Sequence, residues 1–307
     1  MHGRPARCFF IGALAGVFAA VLAAGCTAGS PSAPGPSPAL SVVATTSVFA
    51  DLVAHVGGER VAVSSLVPKG GEVHTFDPTP SQATRVADAD LLVMNGLGLD
   101  DWLKRLVTDS GAGAAIVILG EDLPGAEYIA GEDRNEPNPH LWLDVAYAEG
   151  YVARIRDALK AADPAGGRNY DANAEAYAAR LRELDTWARS TMEAIPADAR
   201  RIIAFHDALP YFAQAYGLHI AGVILPAPGQ DPSAGYVAQL VEEIRRTGVR
   251  AILSEVQFSP ALAQTIADET GAKLIADIYD DTLGDPPVDT YEGLIRWDVE
   301  RIATALR

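Results

Sequence analysis

Short apolar runs alternate along this chain with longer segments in which apolar residues recur every three or four positions. The runs are rich in Val, Ile and Leu, which is typical of buried strands, whereas the longer segments are typical of amphipathic helices. Strands that alternate with helices predict an α/β fold, and the eight runs fall into two groups, which predicts two α/β lobes. The predicted strands are residues 41–45, 61–67, 90–95, 114–119, 201–205, 219–225, 250–255 and 272–278.

One long amphipathic segment separates the two groups of strands. Asp163 and Pro164 are expected to begin a helix, because proline suits the first helical turn. Apolar residues then recur in steps of three and four until Pro196 ends the pattern. A helix of this length spans about 45 Å and would form a rigid spine along both lobes. We therefore expect a first lobe at residues 41–162, a linking helix at 163–195 and a second lobe at 196–307.

The beginning of the chain has the pattern of a secretion signal. Arg4 and Arg7 precede an apolar stretch that is too short for a comfortable membrane span. This stretch ends in Leu-Ala-Ala-Gly-Cys at residues 22–26, which resembles a bacterial lipobox. Residues 1–26 thus predict a lipoprotein signal with Cys26 as the lipidated residue, and an ordinary signal peptide cut nearby is the alternative. Residues 27–40, rich in Pro, Ser and Gly, predict a disordered tether that holds the protein outside the cytoplasm on a membrane.

Charge and cysteine content narrow the chemistry that the folded part can perform. The chain has a net charge of −16 at pH 7, which argues against binding to nucleic acid. It has two cysteines, of which Cys8 would leave with the signal and Cys26 would carry lipid. The mature domain then has no thiolate ligand and no disulfide. A metal site in it must use histidine and carboxylate.

Three of the six histidines lie at the ends of predicted elements, where open α/β sheets place their ligands. His74 follows the second predicted strand, His140 precedes a helix, and His206 closes the fifth strand. Neutral imidazole is a strong donor for divalent transition metals, and loops allow distant segments to converge. His55, within a helical pattern, and His219, at the start of a strand, are expected to be ordinary core or surface residues.

A fourth donor is expected to be a carboxylate oxygen. Asp280 and Asp281 follow the last predicted strand, and either residue would complete a tetrahedral shell of three nitrogens and one oxygen. Aspartates are also common in turns. Spacing alone does not choose between a ligand and a turn.

Several sequence blocks, in order, resemble the zinc- and manganese-binding solute-binding lipoproteins of ABC importers. They include HTFDPTPSQ at residues 74–82, NGLGLDDW at 95–102, PNPHLWLD at 137–144 and FHDA at 205–208. The resemblance runs from about residue 41 to the C-terminus. It implies two α/β lobes joined by one long rigid helix, with the metal in the cleft between them. It also implies delivery of the ion to the permease and ATPase subunits of an importer, with a metallochaperone as a further candidate partner.

The resemblance also implies which residues hold the ion. His74 and His140 would come from the first lobe, and His206 with one carboxylate would come from the second. Asp281 matches the family's ligand position best, and the neighbouring Asp280 is the alternative.

Two glutamates are secondary candidates in this resemblance. Glu72 is a weaker rival for the fourth position, since some zinc-binding relatives use a glutamate near the first histidine. Glu255 is expected to support the metal ligands without binding the ion.

The choice of metal follows from two comparisons with this family. Many zinc-specific relatives have a His-rich loop before the second histidine, yet residues 128–136 contain no histidine. Relatives devoted to manganese commonly have a glutamate where this chain has His206. Three nitrogens and one oxygen favour zinc, because manganese binds such sites weakest in the Irving–Williams order. We expect Zn²⁺, with Mn²⁺ as the alternative.

Two other functions compete with metal delivery. A zinc hydrolase would use the three histidines and an activated water, but the chain has no His-Glu-x-x-His helix and no Gly-x-Ser-x-Gly elbow. A haem- or chelate-binding lipoprotein could share the fold, since a fold does not fix its ligand. Four convergent polar groups would leave no room for haem. The chain is expected not to be an enzyme.

Overall fold

Two four-stranded parallel sheets frame the computed structural model, which describes residues 40–131, 136–226 and 229–307. The first sheet has the order β2-β1-β3-β4, with β1 at Leu40–Ala44, β2 at Val61–Ser65, β3 at Leu91–Met94 and β4 at Ala115–Ile118. The second has the order β6-β5-β7-β8, with β5 at Arg201–Ala204, β6 at His219–Val223, β7 at Ala251–Glu255 and β8 at Lys273–Ile278. The predicted α/β fold with two lobes is confirmed. The predicted lipidation site, Cys26, and the signal lie outside the described residues.

The strand order of the two sheets is the same, and it determines where loops can meet. All the strands are parallel, and in each sheet the strand order reverses between the two central strands. Open α/β sheets bind ligands beyond the carboxyl ends of the strands at such a point. Each of the four predicted donors follows the carboxyl end of a strand. His74 comes after β2, His140 after β4, His206 after β5 and Asp281 after β8.

The described part of the first lobe has four α-helices, and a side-chain cap fixes the start of the last one. They are α1 (Ser47–Gly57), α2 (Pro80–Ala87), α3 (Trp102–Ser110) and α4 (Val145–Ala162). The side chain of Asp144 accepts a hydrogen bond from Ala146 N and so caps α4. This cap, worth about 1 kcal/mol, lies four residues after His140 and fixes the start of α4 at Val145.

A single long helix, α5 (Gly167–Glu193), lies between the lobes in sequence and packs against both. It contacts α1 and α4 on one side and α6 (Pro210–Tyr216) and α9 (Tyr291–Leu306) on the other. With 27 residues it spans about 40 Å. Its apolar positions match the predicted stripe and are buried, and they are Tyr170, Ala174, Tyr177, Leu181, Leu184, Ala188 and Met192.

The long helix begins later than its sequence pattern predicts. Pro164–Gly166 forms a 3-10 turn, because the Asp163 carboxylate accepts hydrogen bonds from Arg60 Nε at 2.8 Å and from Tyr170 Oη at 2.8 Å. A Cβ at Gly166 would lie 2.6 Å from that carboxylate, so the tight turn needs glycine there. Tertiary contacts at this corner override the local helical signal.

The apolar core is continuous from the first lobe through α5 into the second lobe. A second, smaller core lies beneath α7 (Ala234–Thr247) and α8 (Ala261–Thr270). The long helix is therefore part of a shared core. Among the described residues no helix is both long and apolar enough to cross a bilayer.

Candidate metal centre

Four side chains from four separate loops meet between the two sheets. His74, His140, His206 and Asp281 each offer one donor atom, and these atoms all lie within 4.8 Å of one another. Three of the residues are buried, and the side chain of His74 is 14% exposed. The structure thus brings together the four residues named from the sequence, and their role as metal ligands stays a prediction.

The carboxylate of Asp281 faces two of the histidines at once. Its Oδ2 lies 3.7 Å from His74 Nε2, and its Oδ1 lies 3.5 Å from His140 Nε2. Zinc bound tetrahedrally with bonds of about 2.0–2.1 Å would separate neighbouring donors by about 3.3 Å. These two distances exceed that separation by only a few tenths of an ångström, and the remaining donor pairs lie within 4.8 Å.

These donor atoms lack other partners. The Nε2 atoms of all three histidines and both carboxylate oxygens of Asp281 are buried without a hydrogen bond inside the described part of the chain. Buried polar atoms in folded proteins are nearly always satisfied, so a cluster of unsatisfied nitrogen and oxygen atoms needs an explanation. We expect a divalent cation bound among these atoms to satisfy them together.

The ring of His206 lies between two further carboxylates. Its Nδ1 is 3.4 Å from Glu255 Oε1, and its Nε2 is 3.6 Å from Asp280 Oδ2. Glu255 is the last residue of β7, and a carboxylate on the far nitrogen of a metal-bound histidine fixes the ring and raises its basicity. This position fits the supporting role expected for Glu255.

The carboxylate of Asp280 accepts hydrogen bonds from neighbouring residues, unlike that of Asp281. Its Oδ1 accepts hydrogen bonds from Gln257 Nε2 at 2.7 Å and from Asp281 N at 2.6 Å. Asp280 groups with His206 and Glu255 and lies outside the cluster that contains the other two histidines. It shapes the loop that aims Asp281.

The side chain of Glu72 forms hydrogen bonds within the loop that contains His74. Its carboxylate accepts hydrogen bonds from His74 N at 2.7 Å and from Thr75 N at 3.0 Å. It is absent from both donor groups found among the described residues. Its oxygens hold the loop closed, which accounts for its position two residues before the histidine.

Burial and nearby charges shift the pKa values of the three imidazoles in two different directions. Burial lowers the pKa of His74 and of His140, so both rings are neutral near pH 7 and can bind a cation directly. Burial also disfavours a charged His206, but Glu255 and the two aspartates outweigh it and raise the pKa of that ring. An ion that binds His206 Nε2 must therefore displace a proton.

Asn138 and Asn95 are functional candidates that sequence reasoning did not single out, although both lie in blocks that carry the resemblance. Asn138 Oδ1 accepts a hydrogen bond from His140 N at 3.0 Å. Asn95 Nδ2 donates to Pro139 O at 3.0 Å, just before His140. Their place in these motifs was the available signal, and Pro139, the partner of Asn95, lies 44 residues away in the chain.

The open space beside the donors is small. A cavity of about 210 Å³ is lined by the three histidines and by neighbours that include Leu97, Gly98 and Asp207. Pockets for drug-sized molecules range from about 300 to 1,000 Å³. The cavity suits an ion with a few waters and not a haem.

Comparisons with known proteins place this chain in a family. Residues 42–305 match the family model described as zinc-uptake complex component A, periplasmic. The chain is 31% identical over 289 residues to the manganese-binding lipoprotein MntA of Halalkalibacterium halodurans, which covers 94% of this chain and 95% of that protein. It is 31% identical over 266 residues to the iron-binding protein YfeA of Yersinia pestis, with 85% of each chain covered.

Solved structures agree with the fold. The Mn-bound periplasmic metal binding protein from Candidatus Liberibacter asiaticus has a TM-score of 0.78 and 27% identity, covering 87% of this chain and 100% of that one. The periplasmic zinc binding protein TroA from Treponema pallidum has a TM-score of 0.81 over 87% of this chain and 99% of its own, and at 24% identity it shows the fold alone.

Fold, buried donors and relatives together define a metal-binding, substrate-binding protein of an ABC importer, which is not an enzyme. The chain belongs to the zinc-uptake complex component A family.

Proposed function

We propose that this protein captures one Zn²⁺ ion with His74, His140, His206 and Asp281 and delivers it to the permease and ATPase subunits of an ABC importer. The observation that carries the proposal is the buried cluster of unsatisfied donors from both lobes. An ion bound in this way would be held by donors from both lobes at once.

The donor set supports zinc over manganese. Three imidazole nitrogens and one carboxylate match the tetrahedral preference of zinc, whereas manganese prefers oxygen donors and a higher coordination number. Manganese is the second candidate, because relatives are named for binding manganese or iron and one solved neighbour holds manganese. His206 favours zinc over manganese, since it supplies the third nitrogen.

Competition titrations of metal-free protein with zinc and manganese test this proposal. We expect zinc to displace manganese from the native protein. His206→Glu is expected to lower the ratio of zinc affinity to manganese affinity, because it replaces a nitrogen by a carboxylate that can bind through both oxygens. His219→Glu is the matched control, since His219 is exposed at the start of β6. Native protein that prefers manganese, or a ratio unchanged by His206→Glu, would contradict the assignment of zinc.

To deliver the ion to the importer, the protein would act outside the cytoplasm. Lipidation at Cys26 and a tether at residues 27–40 would hold the lobes near a membrane-bound permease, and several relatives are named lipoproteins. A metallochaperone that loads the site is a further candidate partner.

A further inference from the structure

We propose that Asn138 is a positioning residue that fixes which nitrogen of His140 faces the ion and ties the two ligand-bearing loops together across the cleft. This inference rests on the proposed function, because it concerns how the metal centre is held in shape. Asn138 is buried and only 2% exposed.

Backbone partners determine the orientation of the Asn138 amide. Nδ2 donates to the backbone carbonyl of Asp207 at 2.6 Å, and Oδ1 accepts from the backbone N–H of His140 at 3.0 Å. A carbonyl can only accept and an N–H can only donate, so a flipped amide would lose both bonds. The oxygen of Asn138 therefore faces His140.

This orientation determines the tautomer of His140. The same Oδ1 of Asn138 lies 3.0 Å from His140 Nδ1, and an amide oxygen can only accept a hydrogen bond. Nδ1 must then carry the hydrogen, and in a neutral imidazole the lone pair is left on Nε2. Nε2 is the atom that faces Asp281 Oδ1 at 3.5 Å, so Asn138 directs the lone pair of His140 into the cluster.

The other end of Asn138 reaches the second lobe. Asp207 directly follows His206, so the bond from Nδ2 joins the His140 loop to the His206 loop. Nδ2 also lies 3.1 Å from Asp207 Oδ2. Tyr211 Oη, from α6 of the second lobe, donates to the backbone carbonyl of Asn138 at 3.0 Å and strengthens the same connection. One side chain thereby keeps two ligands from different lobes in register.

An amide is the side chain that can perform both tasks. It accepts from the ring of His140 with its oxygen and donates across the cleft with its nitrogen. A carboxylate in its place could accept but not donate, and it would face the carbonyl of Asp207. Asn138→Asp thus separates orientation of the ring from the link between the lobes, whereas Asn138→Ala removes both.

The test combines zinc affinity, measured by chelator competition, with the tautomer of His140, measured by nitrogen-15 NMR of the metal-free protein. We expect Asn138→Ala to lose about 10–100-fold in affinity, as for other partners of metal-bound histidines. It should also lose the exclusive Nδ1–H form of neutral His140. Asn138→Asp should keep the Nδ1–H form and bind zinc with an affinity between those of the native and Ala proteins. His219→Ala is the control and should stay close to native, because His219 is exposed at the start of β6.

Native-like affinity of Asn138→Ala, or the Nε2–H form of His140 in Asn138→Asp, would overturn the inference. If Asn138→Ala does not fold, Asn138→Asp decides: a retained Nδ1–H form with weakened zinc binding supports it, and native affinity overturns it. His140→Ala separates this inference from the proposed function. Loss of zinc in His140→Ala with full binding in the Asn138 variants would refute only the role of Asn138, whereas full binding in His140→Ala would refute the site itself.

Discussion

Replacing His140 by Ala is expected to weaken zinc binding by on the order of 3 kcal/mol, a factor of about 100, because a structural zinc site gains about 10–16 kcal/mol from four ligands. His74→Ala and Asp281→Ala should have effects of the same order. Each removes one of four donors that have no other partner among the described residues. The remaining three donors would have to recruit water to complete the shell.

Two matched variants serve as controls for the loss of a donor. His219→Ala removes an exposed histidine and should leave affinity unchanged. Asp280→Ala should weaken zinc less than Asp281→Ala, because Asp280 shapes the loop through Gln257 and the backbone. Isothermal titration with a competing chelator measures all of these affinities. A larger loss in Asp280→Ala would move the carboxylate ligand to Asp280, and native affinity in both His74→Ala and His140→Ala would refute the assignment.

Metal should also stabilise the folded protein strongly. A ligand that binds only the native state contributes about 4.1 kcal/mol when its free concentration is 1,000 times the dissociation constant. For a protein of this size that corresponds to a rise in Tm on the order of 10 °C. The donors come from both lobes, and a bound ion would offset the free energy cost of burying atoms that have no hydrogen-bond partner. Calorimetry with and without zinc measures the shift.

The calorimetry needs a control for zinc bound elsewhere on the protein, and X-ray scattering measures whether the lobes move. His140→Ala at the same zinc concentration should show a much smaller rise in Tm. Because α5 contacts helices of both lobes within one shared core, X-ray scattering should show only a small change on zinc addition. A large closure, or an equal rise in Tm for His140→Ala, would contradict the account.

The sequence predicts the fold well because period and composition are local signals. All eight strands lie within two residues of their predicted bounds, since Val- and Ile-rich runs between helical patterns have few alternatives. The start of α5 was placed too early, because Arg60 and Tyr170 hold Asp163 in a turn that no local pattern records. Contacts between distant residues decide such corners.

The candidate site was predicted less completely than the fold. The three histidines could be named because they lie at element ends, but their convergence depends on sheet order, which short-range patterns do not contain. Spacing did not choose between Asp280 and Asp281, and the hydrogen bonds that Asp280 accepts from Gln257 and the backbone could not be read from the sequence. Asn138 was not singled out, because its second partner, Asp207, lies in the other lobe.

Anomalous diffraction at the zinc edge, from crystals of the zinc-loaded protein, tests most directly whether one ion is held by donors from both lobes. The account predicts a single strong peak between the two sheets, at about 2.0–2.1 Å from Nε2 of His74, His140 and His206 and from an oxygen of Asp281. A peak that lacks ligands from one lobe, or a zinc ion bound elsewhere on the surface while these four side chains stay free, would contradict it.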